Sequence, residues 1–327
     1  MYALPKVVRS WKKFMRRVEY DRFGDASVLR LRDAPTPIPG DGELRVRVHA
    51  AALNPKDVLL RKGRMQWLAG RSFPRTTGYD FAGEVDAVGP EVTGYAVGDR
   101  VFGMLPGQAG GSIAEELVAP ARCVARMPEG LTFEECAGVP LAALTALQAL
   151  RDCGRVKHDD RVLINGASGG VGVFAIQVAR TLGARVTTLS SARNLELCRS
   201  LGASEALDYA EARPFDPPPR WDCVFDVFGN RSFAAVRPAL TPLGTYVTTV
   251  PSARNVVDHV RTAVGFPRAR LVVVESNGED LARLAHWLSQ GIIKPVVDRV
   301  FALDEVADAQ RYIETKRARG KVIVRVR

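Results

Sequence analysis

Cysteine is scarce in this sequence of 327 residues, and the few cysteines present are widely separated. Five occur, no two of them closer than 13 residues, so the chain contains no C-x-x-C pair. This spacing excludes a disulfide framework and a thiolate zinc knuckle. The cysteines are best interpreted as small buried hydrophobes in a reducing compartment, and we therefore predict a cytoplasmic protein.

Long apolar runs are also missing. The longest uncharged stretch, Val162–Ala179, contains four glycines, Asn165, Ser168 and Gln177, and is too polar and broken for a membrane span. No apolar segment follows the N-terminal charges, so no secretory signal is predicted. With 46% hydrophobic and 25% charged residues, the composition excludes wholesale disorder, a collagen-like fibre and a coiled coil.

Acidic residues are absent from the first 17 positions, which contain six basic residues. The whole chain has a formal net charge of +10. The other 310 residues carry only +4, with the signs well mixed, and no zinc-finger or RNA-recognition signature accompanies the charge. Nucleic acid is therefore not a predicted partner. Residues 1–18 have the helical spacing of a targeting or membrane-surface helix. We favour instead a basic N-terminal extension over residues 1–15, followed by a strand that ends at Tyr20.

The rest of the chain divides into a β-rich part and a part in which strands alternate with helices. Residues 16–135 are predicted to be β-rich, because short alternating segments are punctuated by Gly, Pro and Asp. A helix interrupted near Pro140 follows, and strands then alternate with helices to about residue 275, which is typical of a parallel, doubly wound sheet. Its strands are predicted at 161–165, 185–189, 206–208, 223–227, 246–249 and 271–274, with helices at 170–182 and 194–201. The remaining elements are predicted as a helix after residue 278, a strand at 296–300, a helix near 305–313 and a strand at 321–326.

A glycine-rich turn is the most specific feature. The apolar strand before it ends at Asn165, and an apolar helix begins after it. Glycine permits the tight turn and lets the backbone approach a pyrophosphate, while the helix N-terminus presents free N–H groups. The G-x-x-G-x-x-G spacing within an alternating βα region predicts a dinucleotide site. Its predicted cofactor-binding residues are Gly166, Ser168, Gly169, Gly170, Val171 and Gly172.

The same turn also satisfies G-x-S-x-G, the nucleophile elbow of α/β-hydrolases, with Ser168 as nucleophile. A triad would require a later acid and then a histidine, for which only His259 and His286 are available. No His-Gly oxyanion segment precedes the serine. We therefore retain the dinucleotide site in preference to the hydrolase interpretation.

The residues after the second strand bear on the choice of nucleotide. NAD sites place an acid there, but this strand ends at Leu189 and continues with Ser190, Ser191, Ala192 and Arg193. Two hydroxyls and a guanidinium suit a 2′-phosphate, which an acid would repel. We predict NADPH as the cofactor, the alternative being an ordinary polar turn with Arg193 on the surface.

Four motifs begin at Asn165 (Asn-Gly-Ala-Ser-Gly-Gly-Val-Gly), Leu53 (Leu-Asn-Pro-Lys-Asp), Gly78 (Gly-Tyr-Asp-Phe-Ala-Gly-Glu-Val) and Val97 (Val-Gly-Asp-Arg-Val-Phe-Gly). Together they resemble the quinone oxidoreductase branch of the medium-chain dehydrogenase/reductases. The segments 142–150 and 319–323 fit as well. The resemblance implies a GroES-like catalytic domain over residues 16–140 and 278–327 around a Rossmann domain over residues 141–277.

The zinc-dependent relatives in this family ligate catalytic zinc with a Cys, a His and a second Cys. By motif position those places hold Asn54, Tyr79 and Leu141 here, and the four-cysteine structural lobe is missing. Leucine cannot ligate zinc and an Asn–Tyr pair is a poor site, so a zinc-independent enzyme is expected. One departure is Leu59, where quinone reductases often carry a tyrosine.

The resemblance also implies roles for individual residues. Asn54 is expected to donate a hydrogen bond to the substrate oxygen, and Tyr79 either does the same or forms a wall of the pocket. Thr145 is expected beside the nicotinamide, with Tyr209 near the 2′-phosphate or in the core. The remaining cofactor contacts are expected from Val227, Gly229, Val250 and Lys321.

The predicted function is NADPH-dependent reduction of a quinone or an α,β-unsaturated carbonyl, with the hydride chemistry supplied by the cofactor. An enoyl-thioester reductase and a non-catalytic nucleotide-binding protein remain as alternatives. A homodimer joined through the nucleotide-binding domains is also expected, because Leu271–Val274 is predicted as an apolar edge strand. The alternative is a monomer in which the C-terminal helices cover that strand.

Overall fold

The computed structural model describes residues 14–64, 70 and 72–327, whose strands form three sheets. The helical pattern predicted for the first residues lies mostly outside the described residues. Met15 and Val18 belong to a strand, as the alternative interpretation predicted. In the first part of the chain the strands are β1 Phe14–Tyr20, β2 Arg30–Pro35, β3 Glu43–Leu53, β4 Arg75–Thr76, β5 Asp80–Val88, β6 Arg100–Met104, β7 Glu116–Pro120 and β8 Val124–Arg126.

Helices separate most of the later strands as far as residue 271. These strands are β9 Arg161–Asn165, β10 Arg185–Ser190, β11 Glu205–Asp208, β12 Trp221–Asp226, β13 Leu240–Thr248, β14 Arg268–Leu271, β15 Val297–Ala302 and β16 Lys321–Arg325. The α-helices of the described residues are α1 Pro55–Arg61, α2 Phe133–Ala137, α3 Pro140–Gln148, α4 Gly172–Thr181, α5 Leu195–Ser200, α6 Phe233–Val236, α7 Ala253–Arg261, α8 Gly278–Ser289 and α9 Val306–Glu314.

Strands β9–β14 form one parallel sheet in the order β11-β10-β9-β12-β13-β14. Its central strand β9 is fully buried at Val162, Leu163 and Ile164, as expected when helices cover both faces. The predicted Rossmann-like sheet is therefore confirmed. Because the strands are parallel, their carboxyl ends meet at one edge, and ligands bind at such an edge in folds of this class.

The second large sheet is mainly antiparallel and has the order β15-β16-β3-β5-β6-β8, with β7 also paired to β3. The C-terminal strand β16 lies directly beside β3, with Val322 opposite Leu53. Both ends of the chain therefore build this sheet, as a GroES-like fold requires. A small sheet of β2, β1 and β4 completes the β-rich part.

Two local signals explain how helices near the site begin. Pro55 is the first residue of α1, and the Asp57 carboxylate accepts a hydrogen bond from the Asn54 backbone N–H at 2.7 Å. Pro140 likewise starts α3 and separates it from α2, which confirms the predicted interruption. Sequence analysis did not predict α1, because its seven residues lie within a segment dominated by strand signals.

The last strand of the parallel sheet lies three residues earlier than predicted. The prediction of a strand at Leu271–Val274 is wrong: β14 covers Arg268–Leu271, and Val273 is exposed outside it. Thr245–Thr248 of β13 pair with Arg268–Leu271. The position of the last strand is therefore set by its pairing with β13 and not by the apolar run Leu271–Val274. The edge strand consequently carries Arg268 and Arg270 instead of a row of valines.

Candidate active site

The glycine-rich turn connects β9 to α4 at the carboxyl edge of the parallel sheet. Gly166 has a φ of +81°, a left-handed conformation that favours glycine. A Cβ at Gly172 would lie 2.3 Å from the Gly166 carbonyl oxygen, so no larger residue fits there without a shift of backbone. Gly169, Gly170 and Val171 lie between them, at the N-terminus of α4. The turn therefore has the close-packed backbone that phosphate binding requires.

The end of β10 lies beside this turn. Asn194 joins the two, because its Nδ2 donates to Ser168 Oγ at 2.8 Å and to Ser191 Oγ at 3.1 Å. Ser190 turns inward: it is 4% exposed, and its hydroxyl lies 3.7 Å from Cys198 Sγ. Two serine hydroxyls were predicted to bind the cofactor, and the one that lies beside the glycine-rich turn is that of Ser191.

Arg193 and Tyr209 flank the same corner. Arg193 is exposed, and its Nη2 donates to the Arg317 carbonyl oxygen at 3.3 Å. Tyr209 follows β11, its backbone N–H donates to the Ser190 carbonyl at 3.0 Å, and its side chain is 59% exposed. Of the two locations predicted for Tyr209, the structure places it on the surface beside Ser190 and not in the core.

The ends of β12 and β13 form the next part of the edge. The Val227 backbone N–H donates to the Asn165 carbonyl at 3.1 Å, directly before the turn. Gly229 has a φ of +73°, and a Cβ there would lie 2.1 Å from Val250 Cγ2, so these two residues are in contact. Thus Val227, Gly229 and Val250 come together at the edge where they were expected.

A buried carboxylate that sequence analysis missed holds this region. Asp226, the last residue of β12, accepts hydrogen bonds from Asn165 Nδ2, the Gly229 and Arg231 N–H groups and the Tyr246 hydroxyl, at 2.7–3.1 Å. Burial and this neighbouring charge raise the pKa of Tyr246 far above its ordinary value, so its hydroxyl stays protonated and donates. The available signal was an acid directly after the apolar run Cys223–Phe225.

Asn54 lies on the other sheet, in a buried group with Asp80 and Lys321. Lys321 Nζ donates to Asn54 Oδ1 at 2.7 Å and to Asp80 Oδ2 at 3.1 Å, while Asn54 Nδ2 donates to Asp80 Oδ2 at 3.0 Å. The exposed fractions are 2%, 0% and 3% for Asn54, Asp80 and Lys321. The ion pair therefore fixes the orientation of the Asn54 amide, and the N–H nearest Asp80 is already used.

The same group extends to the start of α3. Asp80 Oδ1 accepts a hydrogen bond from the Leu141 backbone N–H at 2.7 Å. One turn later, the Thr145 hydroxyl donates to the Leu141 carbonyl at 2.6 Å and is nearly buried. Asn54 and Leu141, two of the three positions that correspond to zinc ligands, thus lie on opposite sides of Asp80. The described residues contain no group of three or more His, Cys, Asp or Glu side chains that could hold a metal ion.

Tyr79 is buried, and its hydroxyl donates to the Gln108 carbonyl oxygen at 2.8 Å. Burial, with a smaller effect of Asp57, raises the pKa of Tyr79 far above its ordinary value. The hydroxyl is therefore a poor proton donor whose hydrogen is already bound. The Lys56 ammonium lies 3.8 Å from the centroid of the Tyr79 ring.

The peptide segment at Gly320 joins the glycine-rich turn to the buried group of Asn54, Asp80 and Lys321. The Gly320 N–H donates to the Ser168 carbonyl at 3.0 Å, and Gly320 forms an isolated parallel bridge with Gly169. The next residue is Lys321, and a Cβ at Gly170 would lie 3.1 Å from its Cδ. The stem of Lys321 therefore packs against the turn, while its ammonium reaches Asn54 and Asp80. This was not predictable from the turn alone, because the partners are about 150 residues apart.

Comparison with known proteins assigns the family. Residues 40–129 match the alcohol dehydrogenase GroES-like domain family, and residues 201–324 match the zinc-binding dehydrogenase family. A chloroplastic quinone oxidoreductase, QR1, from Triphysaria versicolor is 32% identical over 95% of this chain and 98% of its own. The chain belongs to the quinone oxidoreductase branch of the medium-chain dehydrogenase/reductases.

Two further relatives of this branch are similar over almost all of the chain. The structure of the quinone oxidoreductase from Coxiella burnetii superposes with a TM-score of 0.87 at 32% identity, over 96% of this chain and 100% of that one. A chloroplastic NADPH-dependent alkenal/one oxidoreductase from Arabidopsis thaliana is 33% identical over 98% of this chain and 80% of its own. Among the described residues, no helix has the length and apolar character needed to cross a membrane.

A nicotinamide cofactor, which this family implies, fits the residues present. The turn at Gly166–Gly172 contains four glycines, whose lack of side chains lets a pyrophosphate approach the backbone. Beside it, Asn194 Oδ1 is buried and has no hydrogen-bond partner among the described residues, so it is free to accept from a ribose hydroxyl. Asn194 was not predicted; its signal was a polar residue three positions after Ser191.

Proposed function

We propose that this protein is an NADPH-dependent reductase of quinones and α,β-unsaturated carbonyls. The observation that carries the proposal is the contact of Gly320 with Ser168, which brings the glycine-rich turn against the buried Asn54–Asp80–Lys321 group. When bound, a reduced nicotinamide supplies the hydride. The chain supplies the binding surface and orients the acceptor, and hydride transfer depends chiefly on such positioning.

The choice of NADPH rests on the corner beyond β10. No carboxylate follows Ser190, where one would accept from the ribose hydroxyls of NADH, and Ser191 and Arg193 provide a hydroxyl and a guanidinium. The backbone of Arg317 lies against Arg193, so the C-terminal part of the chain borders the same corner. The NADPH dependence of the Arabidopsis relative points the same way.

A screen of NADPH oxidation tests the function. The purified protein is mixed with quinones, alkenals and enoyl thioesters, and the loss of NADPH absorbance is followed. We expect turnover with quinones or alkenals. Turnover with enoyl thioesters only would identify the protein as a thioester reductase, and binding of NADPH without any turnover would favour the non-catalytic alternative.

We also propose a homodimer, now supported by a different surface from the predicted apolar strand. The two arginines of β14 discourage edge pairing. Helix α7 packs beside β14, where His259 Nδ1 accepts from the Leu271 N–H at 3.2 Å. Val260, Val264 and Val273 in this region are 66%, 92% and 76% exposed. A second copy would cover such an apolar surface.

Light scattering measures the mass of the protein in solution, and a Val260→Lys variant tests the surface. We expect a dimer for the wild type and a shift towards monomer for the variant, since a buried lysine in the interface would be unpaired. The exposed Val97, which lies in the turn before β6 of the other large sheet, gives a matched Val97→Lys control that should leave the mass unchanged. A wild-type mass of one chain would refute the dimer.

Cytoplasmic location also stays a prediction. QR1 and the Arabidopsis oxidoreductase are named as chloroplastic, so an organelle is the competing location for this chain. A fusion of residues 1–40 to a fluorescent protein distinguishes the two: diffuse cytoplasmic signal supports the prediction, and import into an organelle contradicts it.

A further inference from the structure

We infer that Lys56 is a catalytic residue, whose ammonium binds the oxygen of the acceptor and donates a proton to it. The inference rests on the proposed reductase function. Reduction of a carbonyl-conjugated acceptor places negative charge on oxygen, and a group must stabilise that charge and protonate it. Both side chains expected to do this, those of Asn54 and Tyr79, already have other hydrogen-bond partners.

Lys56 contacts one of these residues and lies close to the other in the chain. It follows Asn54 by two positions in the first turn of α1, and its Nζ lies 3.8 Å from the centroid of the Tyr79 ring. One ammonium hydrogen is donated to the Gly107 carbonyl at 2.8 Å. The adjacent Gln108 carbonyl holds the Tyr79 hydroxyl, so Lys56 and Tyr79 share one wall of the site.

The ammonium group is available for a ligand. A lysine has three N–H donors, and only the bond to Gly107 is found among the described residues, where Lys56 has no ion pair. By contrast, the nearby Lys321 is held by Asp80 and Asn54. Lys56 is half-buried, and burial lowers its pKa, against the opposing effects of Asp57 and Asp80. It is therefore a better acid than a lysine in water.

In the proposed step, hydride addition to the acceptor precedes proton transfer from Lys56. The acceptor gains a hydride at its β-carbon, the electron pair of its C=C bond moves towards the carbonyl, and the carbonyl oxygen becomes negatively charged. A Lys56 N–H bond then breaks and an O–H bond forms, which leaves a neutral amine that regains a proton from water. The resulting enol converts to the saturated ketone. With a quinone, the enol loses a proton from the carbon that received the hydride and gains one at the second oxygen, which gives the hydroquinone.

Three variants separate charge from hydrogen bonding at this position. Lys56→Met removes both, Lys56→Gln keeps a donor that can bind Gly107 without charge, and Lys56→Arg keeps the cation. With an acceptor that the wild type reduces, we expect kcat/KM to fall about 100-fold in the Met and Gln variants and less than about tenfold in the Arg variant. A Gln variant equal to wild type would show that Lys56 only tethers the 107–108 loop and would overturn the inference.

The pH profile gives a second readout. The groups around Lys56 are Asp57 on its own helix, Tyr79 and Asp80 at β5, and Lys321 beyond Asp80. In the wild type, kcat/KM should fall as the pH rises and Lys56 loses its proton. This decline should be absent from Lys56→Met and shifted to higher pH in Lys56→Arg. An unchanged decline in Lys56→Met would contradict the assignment.

A binding measurement without cofactor or turnover completes the test. 4-Nitrophenol ionises to a phenolate, whose oxyanion can bind an ammonium and whose visible absorbance reports the ionisation. We expect the wild type to bind the phenolate at least about tenfold more tightly than Lys56→Met. Thermal unfolding and NADPH affinity should be unchanged in the variant, which shows that it is folded. Equal phenolate affinity would overturn the inference. If the wild type reduces no acceptor at all, the proposed function fails, and the phenolate result still decides whether Lys56 binds an oxyanion.

Discussion

The ion pair between Lys321 and Asp80 makes a strong prediction about stability, because both partners are almost completely buried. Replacing Lys321 with Met leaves the Asp80 carboxylate, which is 0% exposed, without its cation. Removing one partner of a buried pair typically costs about 3–5 kcal/mol. For a chain of this length about 2 °C is lost per kcal/mol, so the melting temperature should fall by about 6–10 °C.

The matched control is the double variant Asp80→Asn, Lys321→Met, which removes both charges and nearly keeps their volumes. Because no charge is then buried without a partner, we expect it to recover at least half of the lost stability. Chemical unfolding in urea, monitored by tryptophan fluorescence, gives the free energies of wild type, both single variants and the double variant. A Lys321→Met variant within about 1 kcal/mol of wild type, or a double variant no more stable than Lys321→Met, would refute the reasoning.

Three further predictions concern the cofactor, pH and metal. Arg193→Ala should weaken NADPH binding by about ten- to a hundredfold in a fluorescence titration and leave NADH almost unaffected, and an equal loss for both cofactors would contradict a contact with the 2′-phosphate. Burial raises the pKa of the Asp57 carboxyl from 3.8 to about 6. The native state therefore favours the protonated form, and this stabilisation, about 3 kcal/mol, is present below pH 4 and lost as the pH rises through 6. The free energy of unfolding of the wild type should decline over that range relative to Asp57→Asn, and parallel curves would contradict this. Chelator treatment should leave the activity unchanged, whereas one tightly held zinc per chain in metal analysis would contradict zinc independence.

The parallel sheet and the nucleotide turn were predictable because their determinants are local in sequence. Strand β9 was predicted at its observed bounds, since an apolar run followed by closely spaced glycines has few alternative structures. The interruption at Pro140 is local in the same sense. The predicted position of the last strand was wrong because its register depends on pairing with the neighbouring strand β13, which the local pattern around residue 271 does not reveal.

The arrangement around Asn54 could not have been predicted from the local sequence. Its amide is oriented by Asp80 and by Lys321, which is 267 residues away in the chain. The inward turn of Ser190 towards Cys198 likewise depends on how α5 packs against β10. Sequence motifs identified which segments form the site, but the hydrogen-bond partners that decide which groups are free come from tertiary packing.

The position of β16 has a consequence for how the chain folds during synthesis. Strand β3 needs β16 as a neighbour, and β16 begins 268 residues after β3 ends, so it is synthesised much later. The parallel sheet, complete at Leu271, can form earlier, because all of its strands have by then been made. Until β16 has been made, the edge of β3 from Ala50 to Leu53 has no strand beside it. That edge exposes unpaired backbone groups, which makes the nascent chain prone to aggregation and a candidate client for chaperones that bind extended segments.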